Sequence, residues 1–145
     1  MATTSPSIGT PFDLTALVER LQGAVKSGDS QAAIVTLKSD CLVVAPLVLP
    51  WGGTTRGVSE FAKTLDMMTG TFDVNLESYE AFPIGDRAMA LMQTVFTSKH
   101  SGRAERMSIV ELYCGDSDGI SEIVAYYQNP NLIADLASGS GPSGS

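Results

Sequence analysis

The segment 87–99 is apolar on both faces of the strand that its composition predicts. Side chains alternate between the two faces of a strand. Large apolar residues occupy both faces here, with Met89, Leu91 and Val95 on one side and Ala88, Ala90, Met92 and Phe96 on the other. A sheet built around such a strand needs a cover on each face. Helices predicted in the first half of the chain supply one cover, and we expect a second copy of the chain to supply the other in a homodimer.

Three helices are predicted in that first half, each from apolar residues at helical spacing. The first begins with Thr10 as its cap and Pro11 at the first helical position, and it ends at Gly28. Asp29 caps a short second helix, and Gly70 ends the third. The apolar face of the third helix comprises Val58, Phe61, Leu65 and Met68.

Strands follow in the second half, and a shift in the alternation near Ser78 predicts a bulge or a strong bend. Helices followed by antiparallel strands indicate an α+β fold. We expect a bent antiparallel or mixed sheet, wrapped by about three N-terminal helices, in one domain over residues 10–137. Residues 1–9 are predicted to be disordered, and residues 138–145 to form a flexible Gly/Ser tail.

Charge and composition exclude several classes of partner. The net charge of −7 disfavours nucleic acid, which binds clustered Lys and Arg. The longest apolar run, Leu42–Leu49, is too short to span a bilayer, and no signal peptide is visible, so we expect a cytoplasmic protein. With one His and no His/Cys cluster, the sequence predicts no metal site and no cofactor.

Short segments in both halves carry a family resemblance. They are Thr15–Arg20, Ala24–Asp29, Ala45–Pro46, Arg56–Gly57, Ile109–Leu112 and Gly119–Ile123. With the order of elements, they resemble the ketosteroid-isomerase-like superfamily over residues 12–137. This superfamily is also called nuclear transport factor 2-like, and it includes the SnoaL-like polyketide cyclases. The resemblance implies a cone-shaped domain that encloses an apolar cavity.

The positions at which those relatives carry acid-base groups are mostly apolar here. For ketosteroid isomerases, the resemblance places the phenol of the oxyanion hole at Leu21, the general base at Ala45 and a protonated acid at Val110. For SnoaL-like cyclases it places an acid at Ala125 and a His at Glu111. A base must accept a proton and an oxyanion donor must share one. Ordinary steroid isomerase chemistry is therefore not expected.

Glu111 has two interpretations. It acts as a base in the cavity, or it points away from the cavity toward a dimer partner, which the alternation favours. If Ala45, Val110 and Ala125 face inward, the same side of their strands carries Arg106, Ser108, Leu112 and Tyr127.

Three other residues also leave alternatives open. Tyr127 is either a hydrogen-bonding group in the cavity or a core tyrosine. Gln93 interrupts an apolar stretch and is a cavity donor or a solvent-facing residue. Trp51 lies in a loop that is either a lid or a packed surface loop. The candidate catalytic residues are therefore Tyr127, Gln93 and Glu111. The predicted substrate-binding residues are Leu21, Ala45, Trp51, Phe61, Leu65, Met68, Ser108, Val110, Leu112 and Ala125.

These features favour a bacterial natural-product cyclase of the SnoaL-like type, as in antibiotic biosynthesis, that acts on a largely apolar polyketide-like molecule. Because its acid-base positions are apolar, we expect ring closure by preorganisation, such as an intramolecular [4+2] cycloaddition. An aldol-type cyclase or isomerase that uses Glu111 is the first alternative. A non-catalytic small-molecule binding or carrier domain is the second, and an interaction adaptor of the transport-factor type is the third.

Overall fold

A six-stranded mixed sheet and four helices make up the computed structural model, which describes residues 12–139. The elements in chain order are α1 (Leu14–Ser27), α2 (Ser30–Ile34), β1 (Leu37–Ala45), β2 (Gly53–Arg56), α3 (Val58–Thr71), β3 (Phe72–Ile84), β4 (Arg87–Ser98), β5 (Ala104–Asp116), β6 (Gly119–Tyr127) and α4 (Pro130–Ser138). The strand order is β2-β1-β6-β5-β4-β3, with β1 and β6 parallel and the other pairs antiparallel. The predicted α+β class is confirmed.

The first helix begins later than the sequence predicts. Asp13 is its N-cap, and its carboxylate accepts a hydrogen bond from the backbone N–H of Ala16. The predicted cap, Thr10, and Pro11 lie outside the described residues, as do residues 1–9 and the end of the Gly/Ser tail. Gly28 ends α1 with a φ of 76°, a left-handed conformation that glycine adopts without steric cost. Asp29 caps α2 as predicted, through the N–H of Ala32.

Two features of the sheet bear on the site. The ladder between β3 and β4 shifts register between Leu76 and Ser78, which confirms the predicted irregularity and lets the long strand bend. The turn residues of the segment 50–55 predict a loop, but residues 53–56 pair with β1 as a short edge strand. Its turn residues gave no strand signal, and pairing with β1 decides its conformation.

The helices α1 and α3 pack on the concave face of the sheet. The inward residues of β4, among them Ala88, Ala90 and Phe96, are buried. On the opposite face Leu91 keeps 36% of its surface and Tyr126 keeps 54%. Apolar residues therefore occupy both faces, as predicted, and within the described chain helices α1 and α3 cover only the concave one. No helix among residues 12–139 is long and apolar enough to cross a membrane.

Candidate functional site

A cavity of about 120 Å³ lies between α1, α3 and the concave face of the sheet. A single water needs only about 10–15 Å³ by the same measure, so the space suits a small organic molecule. Its walls are mainly apolar. The lining residues are Leu21, Gln22, Val25, Val43, Ala45, Trp51, Phe61, Thr64, Leu65, Met68, Val74, Leu76, Thr94, Phe96, Ile109, Glu111, Ile123, Ala125 and Tyr127.

Glu111 is the only lining residue with a carboxylate. Its Oε1 accepts a hydrogen bond from the hydroxyl of Tyr113, two residues along β5, and one of 3.3 Å from Nε2 of Gln22 on α1. The same Nε2 donates to the Tyr113 hydroxyl at 2.6 Å. No described residue donates a hydrogen bond to Oε2. Because Oε1 is already occupied, Oε2 is the oxygen that can gain or lose a proton.

Burial raises the pKa of Glu111 above its ordinary value, while the hydrogen bonds from Tyr113 and Gln22 act in the opposite direction. The residue is half-buried and lines the cavity. Burial, with the adjacent Glu111 carboxylate, also raises the pKa of Tyr113 well above that of a free phenol. Tyr113 is therefore a neutral donor at physiological pH. A carboxyl group with a raised pKa exchanges protons nearer to neutral pH than a solvated one does.

Small residues leave space in front of this carboxyl group. In the sheet register, Ala90 on β4 lies directly opposite Glu111 from one side and Ala125 on β6 from the other. Ala81 on β3 continues the row beside Ala90. Directly paired residues have Cβ atoms about 4.5–5.5 Å apart, so longer side chains here would fill the volume beside Glu111.

A second polar pair joins Tyr127, two residues beyond Ala125 on β6, to Trp51 in the loop that follows β1. Nε1 of Trp51 donates a 3.3 Å hydrogen bond to the hydroxyl of Tyr127, which accepts it. No described residue accepts the proton of that hydroxyl, so it is available to a ligand. Burial raises the pKa of Tyr127, and Tyr127 is therefore a neutral donor at physiological pH.

Trp51 is packed in this structure. It is 6% exposed, stacks on Phe96 with ring centroids 6.4 Å apart and meets Phe72 edge-on at 6.1 Å. A Cβ added to Gly52 would lie 2.1 Å from the carbonyl oxygen of Pro46, so the loop closes tightly on itself. Of the two interpretations of the Trp51 loop, the structure has the packed one.

Four predicted site residues lie outside the cavity, and the structure corrects them: Gln93, Ser108, Val110 and Leu112. Val110 pairs with Tyr126, whereas Glu111 pairs with Ala125, and directly paired residues point to the same face. Val110 and Ala125 therefore cannot both face inward. The register predicted for β5 was wrong by one residue, and that error assigned every side chain of the strand to the opposite face of the sheet. Ser108 and Gln93 meet each other instead, through a 3.0 Å hydrogen bond donated by Ser108.

Arg106 is on that outer face as well, where its guanidinium forms a bidentate pair with Glu77 at 2.9 and 3.0 Å. The same correction reverses the favoured interpretation of Glu111, which points into the cavity. The cavity also brings together Tyr127 with Leu21, Ala45, Trp51, Phe61, Leu65, Met68 and Ala125. Their roles in binding or catalysis stay predictions.

Sequence reasoning missed Gln22, Tyr113 and Thr94. Gln22 follows Leu21 in the helix and is 3% exposed, although it is polar. Tyr113 shares a face with Glu111 by the two-residue period, so the correct register would have identified it. Across residues 12–139, no group of three or more His, Cys, Asp or Glu side chains could hold a metal ion.

No family model matches the chain, and no curated protein matches its sequence. Solved structures do match in fold. A nuclear transport factor 2-like protein from Burkholderia thailandensis superposes with a TM-score of 0.75 at 15% identity, over 86% of this chain and 97% of that one. A candidate polyketide cyclase from Xanthomonas campestris pv. campestris gives 0.69 at 21% identity, over 85% and 96%.

A third structure, TerC co-crystallised with polyporic acid, gives a TM-score of 0.74 at 15% identity, over 85% of this chain and 96% of that one. These identities are too low to carry an activity across, but the coverage includes almost the whole of each relative. The chain therefore has the fold of the nuclear transport factor 2-like and SnoaL-like superfamily that its sequence resembles.

Proposed function

We propose that the protein is a cofactor-independent cyclase that closes a ring in a small, largely apolar, polyketide-like molecule, with Glu111 as its acid-base group. The observation that carries this proposal is the position of Glu111 in a mainly apolar cavity, with Oε1 held by Tyr113 and Gln22 and with no described residue donating a hydrogen bond to Oε2. The likeness in fold to candidate polyketide cyclases supports the same class of substrate.

The arrangement fits an aldol-type closure, in which no atom is gained or lost overall. Oε2 of Glu111 takes a proton from the carbon next to a substrate carbonyl, and the hydroxyl of Tyr127 donates a hydrogen bond to that carbonyl oxygen as negative charge develops on it. The resulting enolate carbon attacks a second carbonyl of the same molecule and forms the new C–C bond. Glu111 then returns its proton to the new alkoxide. The apolar walls exclude water and strengthen both interactions.

An intramolecular [4+2] cycloaddition is the second candidate, and the same apolar walls favour it. A pericyclic closure needs the two ends of one chain held in contact but needs no proton transfer. Such positioning is worth up to roughly 7–11 kcal/mol in favourable systems. A hydrogen bond from Tyr127 to an activating carbonyl would add to it. The third candidate is a carrier that binds the same molecule without turnover.

Glu111→Gln separates these candidates. The variant is incubated with a linear chain that carries two carbonyl groups or a polyene, and ring closure is followed by chromatography and ultraviolet absorption. We expect the variant to lower kcat about 100- to 10,000-fold, the usual contribution of a general acid-base group. Glu77→Gln, on the outer face beside Arg106, is the matched control and should keep full activity.

An unchanged rate in Glu111→Gln would favour the cycloaddition over the aldol closure. A wild-type protein that binds the chain without accelerating its closure over buffer would leave the carrier as the function.

We also propose that the protein is a homodimer joined through the outer face of the sheet. Leu91, Val110 and Tyr126 form one apolar row across three adjacent strands of that face. Leu91 and Tyr126 are exposed, and Val110 is half-buried. In a twofold dimer the rows of the two subunits would pack against each other, so that each subunit buries the same surface.

A further inference from the structure

Thr94 is a buried polar residue whose hydroxyl has no partner among residues 12–139. It lies on the concave face of β4, lines the cavity and is 4% exposed. No described residue forms a hydrogen bond with its hydroxyl. The other buried Thr and Ser hydroxyls, those of Thr36 and Ser98, are both hydrogen-bonded to backbone groups. A buried hydroxyl without a partner costs stability, so its presence at the cavity wall calls for a ligand or a water to bond it.

Thr94, Glu111 and Tyr127 come from three adjacent strands and line the same cavity. In the sheet register Thr94 lies opposite Met107 and Tyr127 opposite Ile109, so both are displaced from Glu111 toward the N-terminal end of β5. With strands about 4.8 Å apart and a rise of about 3.3 Å per residue, the backbones of Thr94 and Tyr127 are roughly 12 Å apart. Each of these two hydroxyls has a proton that no described residue accepts. The cavity thus presents two hydroxyls, both on the side of Glu111 that lies toward the N-terminal end of β5.

The charge of the lining restricts the ligand further. None of the described residues that line the cavity is Lys, Arg or His. Glu111 is the one ionisable acid in the wall, and the whole chain carries a net charge of −7. A buried carboxylate or phosphate on the ligand would have no cation to pair with, and burying an unpaired charge is strongly unfavourable.

We propose that Thr94 and Tyr127 are paired anchors for a neutral substrate with two oxygen functions, which they bind on the side of Glu111 that lies toward the N-terminal end of β5. The inference rests on the proposed function for the role of Glu111, but it concerns binding and is tested by binding. It excludes substrates that enter the cavity as carboxylates or phosphate esters.

Three probes of similar shape test the proposal by isothermal titration calorimetry at neutral pH: 2,6-dihydroxynaphthalene with two neutral oxygens, 2-naphthol with one, and 6-hydroxy-2-naphthoate with one neutral oxygen and a carboxylate. We expect the diol to bind about threefold to tenfold more tightly than 2-naphthol, the range for one added hydrogen bond. The carboxylate should bind more weakly than either.

Thr94→Val removes the hydroxyl and keeps the shape of the side chain. It should reduce the affinity for the diol to that for 2-naphthol, while Thr94→Ser restores it. Tyr127→Phe should give a loss of similar size for the diol, and the double variant should lose both contributions. Thermal unfolding of each variant establishes that the chain is folded in the binding experiment.

Equal binding of the diol by wild type and Thr94→Val would overturn the proposal, because the hydroxyl would then bond water in both states. Binding of the carboxylate as tightly as the diol would overturn the neutral class. These results are independent of turnover. If the protein binds the probes as expected but closes no ring, the proposed cyclase function is refuted and the binding role of Thr94 and Tyr127 is retained. If ring closure depends on Glu111 but Thr94→Val does not change binding, the cyclase function is retained and the binding role of Thr94 is refuted.

Discussion

Tyr113 and Glu111 lie two residues apart on one strand, and the phenol of the first donates a hydrogen bond to the carboxyl group of the second. Residues at this spacing share a face of the sheet, so the strand alone brings both groups to the concave side. Gln22, on the first helix, donates hydrogen bonds to both groups and holds them in position. The cluster therefore joins the helix to the sheet beside the cavity.

Tyr113→Phe should raise the pKa of Glu111 further. The hydrogen bond from the phenol stabilises the charged carboxylate and so lowers the pKa of Glu111, against the increase that burial causes. Without this hydrogen bond, less of that increase is offset. The midpoint can be read from carbon-13 NMR of labelled glutamate carboxyl groups across a pH series. Tyr126→Phe, on the outer face, is the control and should leave the midpoint unchanged. A midpoint that stays the same or falls in Tyr113→Phe would show that this hydrogen bond does not govern the carboxyl group.

Glu111 should also make the stability of the protein depend on pH. Because burial raises its pKa in the folded state, the folded chain binds more protons than the unfolded chain above the ordinary glutamate pKa. The free energy of unfolding therefore falls as the pH rises from that value through the raised one. Below the ordinary value this loss is absent.

Glu111→Gln removes the effect and keeps an oxygen to accept from Tyr113. We expect the melting temperature of the variant, relative to wild type, to be higher at pH 8 than at pH 4 in calorimetry. The other carboxyl groups are common to both proteins and cancel in the difference. A difference that is constant with pH would mean that Glu111 titrates as a solvated group.

Thr94→Val should stabilise the protein in the absence of ligand. The hydroxyl is buried without a described partner, and such a group costs about 1–3 kcal/mol. Valine has nearly the same shape and favours strands. We expect a gain of about 1 kcal/mol in urea unfolding. Thr36→Val is the matched control: its buried hydroxyl donates to the carbonyl of Ala33 at 2.7 Å, so its removal should destabilise the fold. Destabilisation by both substitutions would indicate that Thr94 has a structural partner.

The sequence was sufficient to predict the class of fold and the order of its elements except the short edge strand β2, because helical periodicity, caps and strand alternation are local signals. Asp29 and Gly28 show this well, since each acts at its predicted helix end. The inward face of β5 was not predictable in the same way. Val110 and Glu111 are neighbours, both faces of the strand are apolar, and a shift of one residue exchanges them without any change in the pattern.

The polar cluster depended on that register and on a contact across 91 residues of chain between Gln22 and Tyr113. Local patterns carry no information on such a pairing. The apolar acid-base positions suggested a cavity without a working carboxyl group, whereas the structure has Glu111 lining the cavity, beside the alanines at 90 and 125.

Val110→Lys should separate the proposed dimer into monomers. Val110 lies at the centre of the outer apolar row, between Leu91 and Tyr126, so a lysine there would place two like charges in the interface around the twofold axis. The long lysine side chain can reach water in the monomer, and the substitution should therefore leave the fold intact. Sedimentation velocity over a range of protein concentrations measures the change. Asp73→Lys, at an exposed position of β3, introduces the same residue away from the row and should remain dimeric. A wild-type protein that sediments as a monomer at all concentrations would refute the interface, and a dimeric Val110→Lys would place it on another surface.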